Sequence, residues 1–316
     1  MAKRLAERVV AQVARALPRR AQRVLLRELC NVAAPGDAYH AFQRLGQRYG
    51  IVDLTVPGEY GVIDGALADT AVLATYAQTH QWATVVMRAV ETFFARTVTG
   101  TYLDIGANIG LTTIPIARHH LVTCKAFEPE PRIFRYLTEN LRRNCKSGNV
   151  ETFNLALSDQ RGTAVFELAD DNLGDNRIRL CNVEGSFGEA RRRVITVPTA
   201  RLDDVVGIAS LPQPIVVKMD VQGAECRVLA GGSAVLDAAA MLTFEFWPYG
   251  IRRLGSDPES LVAFITTHFA TGAVLTGDRN DMPPWRPIEW VTEQLRKLVR
   301  DGYDHPYTTC EVVVRR

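Results

Sequence analysis

The chain has 316 residues, of which 47% are hydrophobic and 23% are charged. This composition is that of an ordinary globular protein, so it excludes a disordered, collagen-like or coiled-coil chain as the main state. The 37 Lys and Arg against 35 Asp and Glu leave a formal net charge of +2. That balance argues against nucleic acid as a partner, because a nucleic-acid-binding domain usually carries a strong basic excess.

The N-terminal part of the chain has a local charge of its own. Residues 1–30 carry eight basic and two acidic side chains, and their apolar residues recur at helical spacing, which predicts an amphipathic helix over 3–30. Its basic face is expected to be solvated, with contact to an acidic partner or a membrane surface as the alternative. Residues 31–66 are rich in glycine and proline and are expected to be loops, whereas 67–97 are expected to be helical.

Cysteine usage and hydropathy set the expected compartment. The six cysteines form no CxxC pair, so a structural zinc site has little support and a reduced, cytoplasmic location is predicted. No apolar run reaches about 18 residues, the length that predicts a transmembrane helix. Arginines interrupt the first segment, which excludes a secretory signal there.

From residue 100 the pattern changes to alternating strands and helices. Apolar runs predict strands at 101–105, 122–128, 150–157, 215–220, 241–246, 273–276 and 310–314. Helical spacing predicts helices at 110–119, 131–145, 223–238, 257–270 and 287–300. The expected organisation is a helical N-terminal region over 1–95 that covers the cofactor or builds part of the acceptor pocket, followed by an α/β domain over 96–316. Its mostly parallel sheet has helices on both faces, and strand-like runs at 163–168 and 194–197 suggest a β-rich insertion.

The turn after the first of these strands indicates the class of cofactor. The segment 104–110 reads D-x-G-x-N-x-G, which matches neither the GxGxxG dinucleotide fingerprint nor a phosphate-binding loop. Gly106 and Gly110 let the backbone approach a ligand, and Asn108 tolerates a positive φ. A carboxylate at Asp104 repels a pyrophosphate but suits a cationic amino-acid ligand. S-adenosylmethionine is therefore favoured over NAD or ATP.

Further cofactor contacts are expected at the ends of the next strands. Asp104 is expected to hold the amino end of the cofactor, directly or through water, and Asn108 its carboxylate end. Glu128 closes the second strand, where a carboxylate can accept hydrogen bonds from both ribose hydroxyls. Leu157 and Ser158, at the end of the third strand, are expected to border the adenine.

The chain resembles the FkbM family of S-adenosylmethionine-dependent methyltransferases. The resemblance covers about residues 100–250 and lies in LDIGANIG at 103–110, FEP at 127–129, ALSD at 156–159 and VKMDVQGAE at 217–225. It implies a class I, Rossmann-like fold with a seven-stranded sheet whose last strand is antiparallel. It also implies O-methylation of a hydroxyl on a sugar, glycan or other natural product. Gln222 departs from the family, which usually has Glu at that position.

Three side chains are candidates for the chemistry of methyl transfer. Asp220 ends the fourth strand beside the predicted pocket, and it is a candidate base, acceptor-orienting group or cofactor contact. Glu245 lies among aromatic residues at the end of the fifth strand and is a candidate for acceptor binding or base catalysis. His305, in a late loop, is the third candidate. Together these groups could ligate a divalent cation, but their spacing does not predict a metal site.

Other functions remain open from the sequence. They are N-methylation of a small molecule or nucleic acid, a non-catalytic subunit that binds S-adenosylmethionine, and a dehydrogenase, which Asn108 and Leu111 disfavour. The expected partner is a small-molecule or glycan acceptor, and a homo-oligomer is possible. Acceptor identity cannot be read from the sequence.

Overall fold

The computed structural model describes residues 39, 43, 46, 50–82, 85–119, 121–146, 148–180, 184–276, 281–301 and 305–316. The chain divides into two compact units, one of residues 1–82 with 170–174 and one of residues 83–169 with 175–316. The amphipathic helix predicted over 3–30 lies outside the described residues. None of the helices in the described ranges has the length and hydropathy that crossing a bilayer requires.

The first unit contains a β-hairpin where loops were expected. Strands β1 (Asp53–Gly58) and β2 (Gly61–Ala66) pair antiparallel, and helix α1 (Val72–Thr79) follows. The glycines that suggested loops shape this hairpin. Gly61 has φ +95° beside the turn, and a Cβ at Gly58 would lie 2.4 Å from the Tyr76 ring.

The second unit is built on an eight-stranded sheet of order β13-β12-β14-β11-β10-β3-β4-β5. The strands β3, β4, β5, β10 and β11 are mutually parallel, whereas β14 runs antiparallel between β11 and β12. Apart from the two-residue β13, the sheet has seven strands, and the last of them in the chain, β14, is antiparallel. This is the sheet that the resemblance implies. Their bounds are β3 (Gly100–Ile105), β4 (Val122–Phe127), β5 (Val150–Phe153), β10 (Ile215–Met219), β11 (Ala239–Phe246), β12 (Thr271–Leu275), β13 (Arg286–Pro287) and β14 (Cys310–Arg315).

Helices flank this sheet, so its central strands are buried on both faces. Neighbouring residues of one strand enter different cores: Tyr102 and Val216 belong to one apolar cluster, and Leu103 and Val217 to the other. Double burial is why these strands read as continuous apolar runs. The helices are α2 (Val85–Thr97), α3 (Thr113–Ala117), α4 (Pro131–Asn144), α5 (Leu202–Val205), α6 (Glu225–Gly231), α7 (Ser233–Asp237), α8 (Pro248–Arg253), α9 (Pro258–His268) and α10 (Ile288–Asp301).

Two helical segments differ from the expected organisation. Helix α2, expected in the 1–95 region, belongs to the second unit, because Val90 and Phe94 pack in the same cluster as Tyr102. The helix expected over 223–238 is two helices, α6 and α7, separated at Gly232. The covering role proposed for residues 1–95 stays a prediction.

The β-rich insertion is a separate four-stranded sheet of order β6-β9-β7-β8. The strand predicted over 150–157 is divided at residue 154: its first part is β5 in the main sheet, and its last two residues pair with β9. The insertion strands are β6 (Ala156–Leu157), β7 (Gly162–Leu168), β8 (Arg177–Arg179) and β9 (Arg193–Ala200).

Candidate active site

The glycine turn lies at the carboxyl edge of the sheet, between β3 and α3. The backbone N–H groups of Gly106 and Ala107 donate to the Phe127 carbonyl at 3.1 and 2.9 Å. Gly106 has φ +83°, and a Cβ there would lie 1.9 Å from the Asp220 carbonyl oxygen. Asn108 has φ +49°, as its residue type suggested. Glycine at 106 is therefore required by the approach of the neighbouring strand end.

Asp104 lies beneath this turn and is fully buried. Its Oδ2 accepts hydrogen bonds from the hydroxyls of Thr112 at 2.7 Å and Thr113 at 2.6 Å. Lys218 Nζ lies 3.3 Å from its Oδ1 and donates to the Gly106 carbonyl at 2.7 Å. This geometry makes Asp104 an anchor of the turn, and its expected contact with a cofactor stays a prediction.

Lys218 is a charged residue of the candidate site to which sequence reasoning assigned no role of its own. Burial lowers the pKa of Lys218, but the negative charges of Asp104 and Asp220 outweigh burial and hold that pKa above its ordinary value. The ammonium group therefore stays protonated beside the turn. The available signal was a lysine inside the otherwise apolar strand β10. Its partner, Asp104, is identified only by the structure, which pairs Lys218 of β10 with Asp104 of β3.

Glu128 follows β4 directly and lies beside the glycine turn. Its Oε2 accepts from the Asn108 N–H at 3.1 Å, and its Oε1 accepts from the Glu130 N–H at 2.9 Å. Burial raises the pKa of Glu128 to about 8. In the ionised form each oxygen retains a second acceptor position, so the carboxylate has the chemistry that a ribose diol needs, and ribose binding would favour ionisation.

Leu157 and Ser158 do not end the third strand of the main sheet, because β6 belongs to the insertion sheet. Leu157 is a core residue, and the Ser158 N–H donates to the Ala200 carbonyl at 2.9 Å. Phe153 and Asn154 lie beside Glu128 instead: the Phe153 carbonyl accepts from the Glu128 N–H at 3.1 Å, and Asn154 Nδ2 donates to the Glu128 carbonyl at 2.9 Å.

The structure brings Asp220 and Glu245 together through Gln222. The Gln222 Nε2 donates to Asp220 Oδ1 at 2.9 Å and to Glu245 Oε2 at 2.8 Å. The Thr309 hydroxyl donates to Glu245 Oε1 at 2.9 Å. Gln222 has φ +54°. The Gln222 amide thus lies between the carboxyl groups of Asp220 and Glu245. The resemblance described above implies a glutamate at position 222.

The two carboxyl groups differ in their environment. The Asp220 side chain is 46% exposed, and its backbone N–H donates to the Ile105 carbonyl at 3.0 Å beside the glycine turn. Burial, and then the negative charges of Asp220 and Glu225, hold the pKa of Glu245 well above its ordinary value. Glu245 is thus harder to ionise than an exposed carboxyl group, and its burial separates its chemical role from that of the accessible Asp220.

His305 is exposed and forms no hydrogen bond to Asp220 or Glu245 within the described residues. In the same part of the chain, no group of three or more His, Cys, Asp or Glu side chains is arranged to hold a metal ion. The neighbouring Pro306 carbonyl accepts from the Trp247 Nε1–H at 2.6 Å, so this loop is tied to the residue after β11.

Aromatic rings surround the end of β11. The Phe187 ring centroid lies 5.6 Å from those of Trp247 and Tyr249 and 5.0 Å from that of Tyr307. Trp247 is buried, whereas Tyr307 is 75% exposed. The cluster therefore runs from the buried strand end to the surface, and we call these four residues the aromatic wall.

This sheet order, with a glycine turn after its first parallel strand and an acid after its second, is that of a class I methyltransferase. Residues 104–267 match the sequence profile of a family described as the methyltransferase FkbM domain. The matched segment spans more than half of the chain, and the chain belongs to this family.

Two curated relatives share this segment. Hexuronic acid methyltransferase AglP of Haloferax volcanii is 30% identical over 169 residues, which are 52% of this chain and 60% of that protein. The 2-O-methyltransferase NoeI of Sinorhizobium fredii is 29% identical over 158 residues, 46% of this chain and 62% of that protein. The chain thus spans less than two thirds of the curated relatives it matches.

Among solved structures, methyltransferase FkbM from Methylobacillus flagellatus KT is similar at 15% sequence identity and a TM-score of 0.39. The match covers 68% of this chain and 44% of that chain.

Proposed function

We propose that the chain is an S-adenosylmethionine-dependent O-methyltransferase that acts on a hydroxyl group of a sugar, a glycan or a related natural product. The observation that carries this proposal is the position of Asp220, an accessible carboxylate whose backbone bonds to the end of β3 beside the glycine turn. The two curated relatives are named for a hexuronic acid and for 2-O-methylation, which supports a sugar hydroxyl as acceptor.

The residues of the carboxyl edge fit a cofactor that carries both an amino-acid zwitterion and a ribose. Glu128 supplies acceptors for the ribose hydroxyls, and the turn from Gly106 to Gly110 brings the backbone close. Asp104 and Lys218 keep that turn in place, and we still expect Asp104 to hold the amino end of the cofactor, directly or through water. S-adenosylmethionine supplies a methyl group on a positively charged sulfur when it is bound.

The chain's own contribution to the reaction is to activate and orient the acceptor. When bound, S-adenosylmethionine would supply the methyl carbon to the acceptor oxygen, and the electron pair of the sulfur–carbon bond would stay on sulfur. Asp220 takes the hydroxyl proton and releases it to solvent. A positioned base contributes roughly 10²–10⁴-fold to such a step.

Gln222 and Glu245 act by positioning Asp220. The amide of Gln222 donates to Asp220 Oδ1, and we assign the acceptor hydroxyl to Oδ2, which lies 4.0 Å from Lys218 Nζ. Glu245 holds Gln222 through its Oε2, and its raised pKa disfavours a second negative charge beside Asp220. His305 makes no hydrogen bond to this group, and we assign no proton transfer to it.

The aromatic wall suits a sugar ring on the acceptor side. Aromatic faces bind the C–H surface of a pyranose, and Tyr307 presents its ring at the surface. We expect Tyr307→Ala to raise KM for the acceptor with little change in kcat, because the ring binds ground and transition states alike.

Calorimetric titration of the full chain tests the cofactor assignment. We expect S-adenosylmethionine and S-adenosylhomocysteine to bind with micromolar affinity and NADH not to bind. Ribose binding favours the ionised form of Glu128, so binding at pH 7 releases about one proton. The measured enthalpy then differs between phosphate and Tris buffers, and this difference disappears in Glu128→Gln. Binding of NADH in place of the sulfonium would overturn the assignment.

Turnover is measured as release of S-adenosylhomocysteine with glucuronic acid, glucose and larger hydroxylated glycans as acceptors. With an active acceptor, Asp220→Asn should lower kcat by roughly 10²–10⁴-fold, the contribution of a positioned base. Glu245→Gln keeps the shape and one acceptor oxygen, so it should lower kcat much less than Asp220→Asn. Glu293→Gln, on an exposed face of α10, should leave kcat unchanged. Equal losses in Asp220→Asn and Glu245→Gln would refute Asp220 as the base, and binding without turnover would indicate a non-catalytic subunit.

We also propose a cytoplasmic location. The support is that Cys124, Cys145, Cys226 and Cys310 are free thiols, which fits a reducing compartment.

A further inference from the structure

A cavity lies at the edge of the main sheet opposite the glycine turn. Its volume is about 720 Å³, within the range of roughly 300–1,000 Å³ that small-molecule pockets occupy. Met241 and Thr271 line it near the amino ends of β11 and β12, and Arg315 lines it at the far end of the antiparallel β14. It therefore has no part in the site described above.

One face of helix α2 forms a wall of this cavity. The lining residues of α2 recur every three or four positions, which is the period of a single helix face. They include Arg88, Phe93 and Arg96, whereas Val90 and Phe94 on the other side are buried in the core. The helix is thus divided into a face for the core and a face for the cavity.

The floor of the cavity is apolar and aromatic. Phe93, Met282 and Trp285 pack against the buried cluster beneath it. The Arg315 guanidinium lies over the Trp285 ring at 4.0 Å from its centroid, and Arg315 Nε donates to the Thr271 hydroxyl at 3.2 Å. This floor favours an aromatic or alkyl group.

The rim of the cavity has an excess of positive charge. Arg88, Arg96, Arg315 and Arg316 line it, and Asp281 is the one acidic residue among the lining positions that the structure describes. Arg88 and Arg96 are exposed, and the described residues offer neither of them an ion pair. Guanidinium groups bind carboxylates and phosphates in a bidentate fashion, so the rim is complementary to an anionic head group.

We propose that this cavity binds an amphipathic organic anion, with its phosphate or carboxylate on Arg88 and Arg96 and its apolar body against the floor formed by Phe93, Met282 and Trp285. The proposal is independent of the methyl-transfer reaction, because no residue of the cavity belongs to the glycine turn or to the Asp220–Gln222–Glu245 group.

Titration of the full chain with dodecyl phosphate and with dodecanoate, both below their micellar concentrations, tests the proposal. We expect saturable binding of one molecule of at least one of them, and the preferred head group identifies its source as a phosphate or a carboxylate. Inorganic phosphate lacks the apolar body and dodecyltrimethylammonium reverses the charge, so both should bind much more weakly. Equal binding of the cationic analogue would overturn the proposal, as would the absence of saturable binding.

Matched variants locate the binding. Arg88→Gln with Arg96→Gln should weaken binding by about tenfold or more, the loss expected when charge-assisted hydrogen bonds are removed. Arg142→Gln with Arg300→Gln removes two exposed arginines from other helices and should leave the affinity unchanged. Trp285→Phe should alter the fluorescence response to the ligand. An unchanged affinity in the Arg88 and Arg96 double variant would refute the site.

Discussion

Glu128 allows a direct test of how the site is electrostatically arranged. In the unfolded chain its pKa has the ordinary value of 4.5, whereas burial raises it to about 8 in the folded protein. Between these values the unfolded chain is ionised and the folded protein is protonated. Unfolding therefore releases a proton, and the free energy of unfolding falls as pH rises through this window and levels off above pH 8.

The size of this effect follows from the two pKa values. Because each pKa unit corresponds to about 1.4 kcal/mol, the Glu128 contribution lost between pH 5 and pH 9 is about 3 to 5 kcal/mol. Glu128→Gln keeps the shape and one acceptor oxygen but does not titrate. Its free energy of unfolding should lie within about 1–3 kcal/mol of wild type at pH 5, the cost of one unsatisfied backbone donor. As pH rises, the free energy of unfolding of the variant should increase relative to wild type, and this difference should level off above pH 8.

Urea unfolding of both proteins without ligand, at several pH values from 5 to 9, measures this difference. Other titrating groups are common to both proteins and cancel. Glu293→Gln, on an exposed face of α10, should give a profile parallel to wild type. If the Glu128→Gln and wild-type profiles are also parallel, Glu128 is ionised in the folded protein and the account of its environment is wrong.

Two further predictions concern the support of the glycine turn. Gly106→Ala places a Cβ 1.9 Å from the Asp220 carbonyl oxygen and should prevent folding to a stable protein. The control Gly148→Ala should unfold in urea like wild type, because no atom lies within 4 Å of a Cβ at that position. Lys218→Met leaves Asp104 buried without its cation and should cost about 3–5 kcal/mol in urea unfolding. Adding Asp104→Asn should recover part of this loss, and a loss that is merely additive would show that the two side chains are not coupled.

Most of the architecture could be predicted from the sequence, because doubly buried strands and amphipathic helices have distinct periodicities. The strands at 101–105 and 215–220 were found within one residue. The strand at 150–157 was not, since its apolar pattern continues across residue 154 while the chain passes from one sheet to another. The hairpin at 53–66 was missed because glycines at a tight turn and at a close contact read like loop residues.

The candidate site was predicted in its parts but not in its connections. Each sequence segment indicates one polar residue at a strand end, and parallel topology brings those ends to one edge. The sequence does not show that Gln222 lies between Asp220 and Glu245, because that contact joins different strands. For the same reason, the sequence does not show that Lys218 pairs with Asp104.

The placement of β14 determines when the main sheet can be completed during synthesis. This strand lies between β11 and β12, and both of them precede it in the chain. Until residues 310–315 leave the ribosome, the facing edges of β11 and β12 have unpaired backbone groups, a condition that favours wrong pairing. The nascent protein must therefore hold two open sheet edges apart, and it closes its principal core only after residues 310–315 have been made.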